Sequence, residues 1–426
     1  KRQILTLWRR TRVDWSFASS SLADAFRKNK LGGRERRAIA ECLYGMIRHH
    51  RRVDEALAAG GYRSGQRAPD DERIIAYLVL EEGLSAIDAA RHFPDLDWDQ
   101  VAAVDQALDA LPAGAERLAR RHSFPDWLAK RLTRDLGAAA EEVARALSQR
   151  APMAIRVNGL QTTRDELRAE LAERDIHTRP SSLAPDGLVF ETRLNLFSLP
   201  GFKAGSFEAQ DEGSQLIAEL VMPPPKAMVV DLCAGAGGKT LAIAAAMAGK
   251  GRLLATDIYK RKLDELRKRC RRAGASNVQA VVIERDPKSP WPESMSKWVG
   301  KADRVLIDAP CSGIGSLRRN PELRWRLTAE DADGLPAEQL AICERAISLL
   351  APGGRLIYAT CTVLRDENEG VVDRLLQRHS ELELVPVKEV WGSERAKAVG
   401  DGTYLRTLPS RHGCDGFFAA ILRLKR

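Results

Sequence analysis

No stretch of this chain stays apolar for the roughly 18 residues a membrane-spanning helix needs. No two cysteines form a CxxC pair, and neither an internal repeat nor a low-complexity tract occurs. The first absence argues against a membrane protein. The seven cysteines, scattered at 42, 233, 270, 311, 343, 361 and 414, argue against a disulfide framework and a structural zinc site. Reduced thiols and no metal are therefore expected. The opening KRQILTLWRR has no signal-peptide core, so a cytoplasmic setting is the expectation.

What is present fits a globular chain. Its 426 residues are 44% hydrophobic and 29% charged, enough for two or three domains with their own cores. Lys and Arg number 67 against 58 acidic residues, a net charge of +9 that suits a polyanionic partner.

The stretch 1–140 reads as all-helical. Leu22, Ala23 and Phe26, then Ile39, Cys42, Leu43, Met46 and Ile47, recur at helical spacing, and Gly32-Gly33 separates two helices. Its basic clusters RERR (34–37) and RHHRR (48–52) read as solvated helix faces that phosphate could also reach. In 141–205, MAIRVNG and GLVFE read as strands around a helix capped by Thr163 and Glu166, a small α/β module. From 206 to 426 strands alternate with helices, which predicts a mostly parallel sheet covered on both faces.

Within that last region, VVDLCAGAGGKT (229–240) is an apolar strand running into a glycine turn that opens a helix. The ending GGKT resembles a phosphate-binding loop, but such a loop needs glycine at 233, where the chain has Cys. RVLIDAP could still mimic the magnesium-holding strand of a nucleoside triphosphatase, and that rival stands. Asp257, which ends the next strand RLLATD, favours a nucleoside cofactor whose ribose a carboxylate would hold. The spacing D-x-C-x-G-x-G from Asp231 tilts the choice from NAD to S-adenosyl-L-methionine.

Ligands of open α/β sheets sit at the carboxyl ends of the strands. RVLIDAPC brings Asp308 and Cys311 there, and GGRLIYATC brings Cys361 to the end of a neighbouring strand. Cys42, Cys270 and Cys343 fall within helical patterns and read as small buried hydrophobes. Two thiols and a carboxylate beside a methyl donor suit methylation of cytosine at C5. A thiolate adds to C6, the activated C5 takes the methyl group, and a base removes the C5 proton. Residue chemistry alone leaves open which thiol attacks.

DLCAGAGGKT, DAPCSGIGSLRRNPELRWR, GGRLIYATCTVLRDENEGVV and the terminal DGFFAAIL together resemble the RsmB/Nop/Sun family of RNA cytosine-5 methyltransferases. FPDWLAKRL, MAIRVN and FEAQDEGSQL extend the resemblance upstream. AECLYGMIRHHRRVD is similar to the NusB-like extension of bacterial ribosomal-RNA members. The resemblance implies an all-α NusB-like domain (1–140), a small α/β, RRM-like module (141–205) and a Rossmann-like class I methyltransferase domain (206–426). The implied substrate is RNA, with small-subunit ribosomal RNA expected.

Carried over by position, the resemblance implies that Cys233, Ala234, Gly235, Ala236, Gly237, Gly238 and Lys239 wrap the methionine part of the cofactor. Asp257 would take the ribose and Asp286 the adenine side, with Glu284 a rival on the same strand face. Asp308 would lie near both methyl donor and base, and Lys239 would face the pyrimidine. Cys361 would attack and Cys311 would assist release. RNA contact is expected from Arg156, Asn158, Arg318, Arg319, Arg324 and Trp325, the arginines pairing phosphates and the indole stacking a base. A non-catalytic RNA-binding or ribosome assembly factor is the remaining alternative.

Overall fold

A computed structural model describes residues 2–29, 31–62 and 69–425. The chain divides into two units, Lys1–Arg150 with Ser316–Asp331, and Ala151–Gly315 with Ala332–Arg426. The expected three-way division is thus regrouped: the small module and the large sheet share one unit.

The first unit is helical. The helix Gly33–Arg48 starts at Gly32, whose N–H is capped at 2.8 Å by the Glu35 carboxylate. Its apolar stripe Ile39, Cys42, Leu43, Met46 and Ile47 is buried with Trp8, Leu57 and Val101. Leu22 joins this core, whereas Ala23 on the preceding helix faces solvent. Helices continue to Leu147, beyond the expected limit at 140.

The second unit begins with four antiparallel strands, β1 (Ala154–Val157), β2 (Thr178–Pro180), β3 (Gly187–Phe190) and β4 (Phe207–Ala209), in the order β2-β3-β1-β4. With the helices Arg164–Ala172 and Pro200–Ala204 between them, this is a ferredoxin-like split βαβ arrangement. Thr163 and Glu166 cap the first helix reciprocally, as the spacing predicts. β4 carries the module past the expected border at 205.

The large sheet contains β5 (Met228–Asp231), β6 (Arg252–Asp257), β7 (Val278–Val282), β8 (Ala302–Asp308), β9 (Leu350–Thr360), β10 (Leu382–Val385), β11 (Leu405–Thr407) and β12 (Phe417–Leu424). Its order is β10-β12-β9-β8-β5-β6-β7, with β11 paired to β12. β5 to β9 run parallel, and β12 enters antiparallel between β9 and β10. Alternate residues enter two cores on opposite faces. Val229, Leu253, Leu306 and Ile357 lie on one side, and Val230, Leu254, Ile307 and Tyr358 on the other. The sheet order reverses at β5 and β8, the place where open α/β sheets bind their ligands beyond the strand ends.

No described helix is long and apolar enough to cross a membrane. Among the described residues, no group of three or more His, Cys, Asp or Glu could hold a metal ion.

Candidate active site

Beyond β5 the chain turns through residues 232–237 into the helix Gly238–Ala246. Gly237 adopts φ 89°, and a Cβ there would stand 2.7 Å from the Leu266 side chain, so both conformation and space demand glycine. Gly235 and Gly238 border open space instead. The turn is fastened from β6. Ala234 N–H donates to the Thr256 carbonyl at 2.8 Å, and Gly235 N–H to Asp257 Oδ2 at 3.0 Å.

Asp257 is buried, and its Oδ1 accepts the Tyr259 N–H at 2.8 Å. Each oxygen keeps a lone pair for a ligand hydroxyl. Asp231, wholly buried, accepts the Thr240 hydroxyl on Oδ2, while its Oδ1 has no partner. Burial pushes the Asp231 carboxyl up to about 7, outweighing the Thr240 bond. Open space beside glycine, free helix N-terminal N–H groups and an acid at the neighbouring strand end fit a nucleoside cofactor. Lys239 and Thr240, which a phosphate-binding loop would commit to phosphate and magnesium, are bonded to carboxylates here, which speaks against the triphosphatase alternative.

Lys239 Nζ donates to Asp308 Oδ2 at 2.7 Å, joining the glycine-loop helix to the end of β8. Burial works against the ammonium, but Asp308, Cys361 and Asp231 outweigh it and raise the Lys239 pKa. Cys311 and Cys361, on the turns after β8 and β9, bring their sulfurs to 3.3 Å, and the Cys361 N–H points at Cys311 Sγ at 3.4 Å. Both are free thiols. The Cys311 thiol is pushed well up, first by its bond to Cys361 and then by burial.

Gly315 lets the two turns meet. Its N–H donates to the Cys361 carbonyl at 3.0 Å, and its carbonyl accepts the Gly416 N–H at 2.9 Å.

Other expected positions are corrected. β7 ends at Val282, so Glu284 and Asp286 do not share a strand face; both are exposed in the following loop, where Asp286 Oδ1 accepts the Lys288 N–H. Arg156 is buried against Gln210 Oε1 at 2.8 Å, and Asn158 donates to the Gly205 and Ala273 carbonyls at 2.8 Å. Both tie the small module together or to the helix Lys260–Ala273, and neither presents a group to RNA.

Arg324 is fully buried in the helical unit, donating to the carbonyls of Arg48, His122, Ser123 and Leu147. Arg318 is buried as well and donates to the Arg150 carbonyl. Trp325 donates to the Ile47 carbonyl at 2.8 Å and packs near Trp15 and His50, so its indole serves the fold. Arg319 keeps part of its surface. Cys42 and Cys270, pushed up to about 12 and about 11 by burial, behave as the apolar residues expected.

Sequence reasoning missed a buried polar group behind the two thiols: Ser312, Gln339, Tyr358, Thr362, Glu367 and Asn368. Glu367 sits among the polar residues of DENEG (366–370), and no spacing marks it as buried.

A seven-stranded path with one antiparallel strand, a glycine turn after β5 and an acid at the end of β6 define a Rossmann-like class I methyltransferase domain. The family model described as 16S rRNA methyltransferase RsmB/F matches residues 218–423, and an RsmF/B-like ferredoxin-like domain matches 124–196. "Probable ribosomal RNA small subunit methyltransferase B" of Synechocystis is 32% identical, covering 96% of this chain and 95% of that protein. "Ribosomal RNA small subunit methyltransferase B" of Sodalis glossinidius is 36% identical over 73% of this chain and 68% of its own. The solved structure of PH0851 superposes with a TM-score of 0.78 at 26% identity, covering 100% of this chain and 98% of that one. The chain belongs to the RsmB/F methyltransferase family.

Proposed function

We propose that this protein methylates C5 of cytosine in RNA, small-subunit ribosomal RNA above all, through a covalent bond between Cys361 and C6. The observation that carries the reading is the 3.3 Å approach of two free thiols at adjacent strand ends, beside the Lys239–Asp308 pair. The names of the relatives support the RNA substrate.

The 233–239 turn and Asp257 would hold S-adenosyl-L-methionine, which would supply an electrophilic methyl group for the activated C5. Cys361, the thiol that the family resemblance makes the nucleophile, starts the reaction by adding to C6. Asp308 holds the N3 edge of the base, and Lys239 balances negative charge spreading over the ring. Cys311, having given its own proton to water, takes the C5 proton as a base, and the electron pair left behind re-forms the C5–C6 double bond and expels the Cys361 thiolate. Asp286 remains the proposed partner of the adenine side, and Arg319 the proposed RNA contact.

Cys361→Ala is expected to abolish both methyl transfer and any denaturation-resistant RNA adduct, whereas Cys311→Ala accumulates the adduct. Gel analysis with ribosomal RNA fragments and bisulfite mapping read the two outcomes. A stable RNA-linked species from Cys361→Ala would overturn the assignment of the nucleophile.

A further inference from the structure

The Cys311 and Cys361 turns come from segments 50 residues apart, and one buried side chain stands behind both. Glu367 is 1% exposed, and among the described residues no cation is bonded to it. Its Oε2 accepts the backbone N–H of Ser312, next to Cys311, at 2.8 Å, and the Gln339 amide at 2.9 Å. The same Gln339 amide reaches the Pro310 carbonyl at 3.0 Å, on the other side of Cys311. Ser312 Oγ donates at 2.8 Å to Thr362 Oγ1, next to Cys361. Tyr358, on β9, donates to Gln339 Oε1 and to the Glu367 carbonyl. Asn368 accepts the Thr360 hydroxyl at 2.6 Å and donates to the Thr362 carbonyl at 3.2 Å.

Burying a carboxylate without a cation is costly unless its bonds are worth more in that place. Here its bonds fall on both neighbours of Cys311, directly at Ser312 and through Gln339 at Pro310, and Ser312 relays them to the residue after Cys361.

We propose that Glu367 is the positioning residue of the thiol pair, setting the spacing of Cys311 and Cys361 through Ser312, Gln339 and Thr362. It touches neither RNA nor cofactor. The proposal rests on the cytosine-methylation reading only for its consequence in turnover; the spacing of the sulfurs can be tested without substrate.

The first experiment measures how fast diamide, a two-electron thiol oxidant, converts the two thiols of the intact chain into a Cys311–Cys361 disulfide, followed by peptide mass spectrometry. Glu367→Leu keeps the bulk and removes the acceptor; Glu367→Gln keeps one acceptor oxygen. Because small misplacements of reacting groups cost large factors, Glu367→Leu should cross-link about 10- to 100-fold more slowly, with Glu367→Gln near wild type. The second experiment is methyl transfer to ribosomal RNA. There Glu367→Leu should lower kcat by a similar factor with KM for RNA unchanged, and Glu367→Gln should restore it.

If Glu367→Leu does not fold, Thr362→Val, which keeps the shape and removes the hydroxyl that bonds Ser312 Oγ and the Leu364 N–H, carries the same comparison with the same expected direction. Wild-type cross-linking in the folded variant would overturn the proposal. Slowed cross-linking with no cytosine methylation by any of the proteins would sustain the positioning role and sink the reaction assigned to the site.

Discussion

Asp231 ends β5 with one oxygen bonded to Thr240 and the other unpartnered. Its carboxyl is pushed up to about 7 by burial, whereas an unfolded chain titrates aspartate near 3.9. The folded state thus binds this proton more tightly than the unfolded state. Its stabilising contribution is complete below about pH 4 and is lost as pH rises through about 7. Asp231→Asn should therefore flatten the dependence of stability on pH across that window. Urea denaturation at several pH values checks it, and an unchanged slope would assign the dependence to another group. At this scale sequence pointed to the thiols and Asp257 as strand-end residues, because strand and turn patterns act locally. It misled for Arg156, Asn158 and Arg324, because the guanidinium and amide donors that recognise phosphate equally satisfy buried carbonyls.

Among the elements, the turn after β8 depends most on a single missing side chain. A Cβ at Gly315 would stand 2.0 Å from the Gly416 carbonyl oxygen and 2.9 Å from that of Cys361. Gly315→Ala must push the Cys311 turn away from Cys361 and β12. The expected result is a loss of about 10- to 100-fold in methyl transfer, read beside a circular-dichroism spectrum that stays native. Full activity would mean that the turn tolerates displacement. Strand–turn–helix units were legible in advance because period-2 apolar runs, glycine turns and caps such as Thr163–Glu166 act over a few residues. The placement of β12 between β9 and β10 was not, since pairing across distant segments leaves no local pattern.

At the scale of the whole molecule, the chain leaves the sheet unit at Gly315, contributes Ser316–Asp331 to the helical unit, and returns at Ala332. Arg324 is the anchor of that segment, with Glu322 accepting the Ala18 N–H at 3.1 Å and Trp325 bonded to Ile47. Arg324→Met would leave several buried carbonyls without donors, each worth about 1–3 kcal/mol. The helical unit should lose about 2–4 kcal/mol of stability by urea denaturation, and a loss within error would show that the carbonyls find other donors.

Sequence by itself determined the alternation of strands and helices, the glycine turn with its acidic partner, and the two thiols at strand ends. Each of these follows from side-chain type and short-range spacing. Only the tertiary structure decided that the segment after Cys311 is completed by helices from the start of the chain, that the expected RNA-binding arginines are largely internal, and that Glu367 stands behind both sulfurs. Burial and long-range hydrogen bonding set those outcomes, and both arise only when distant segments are packed against each other.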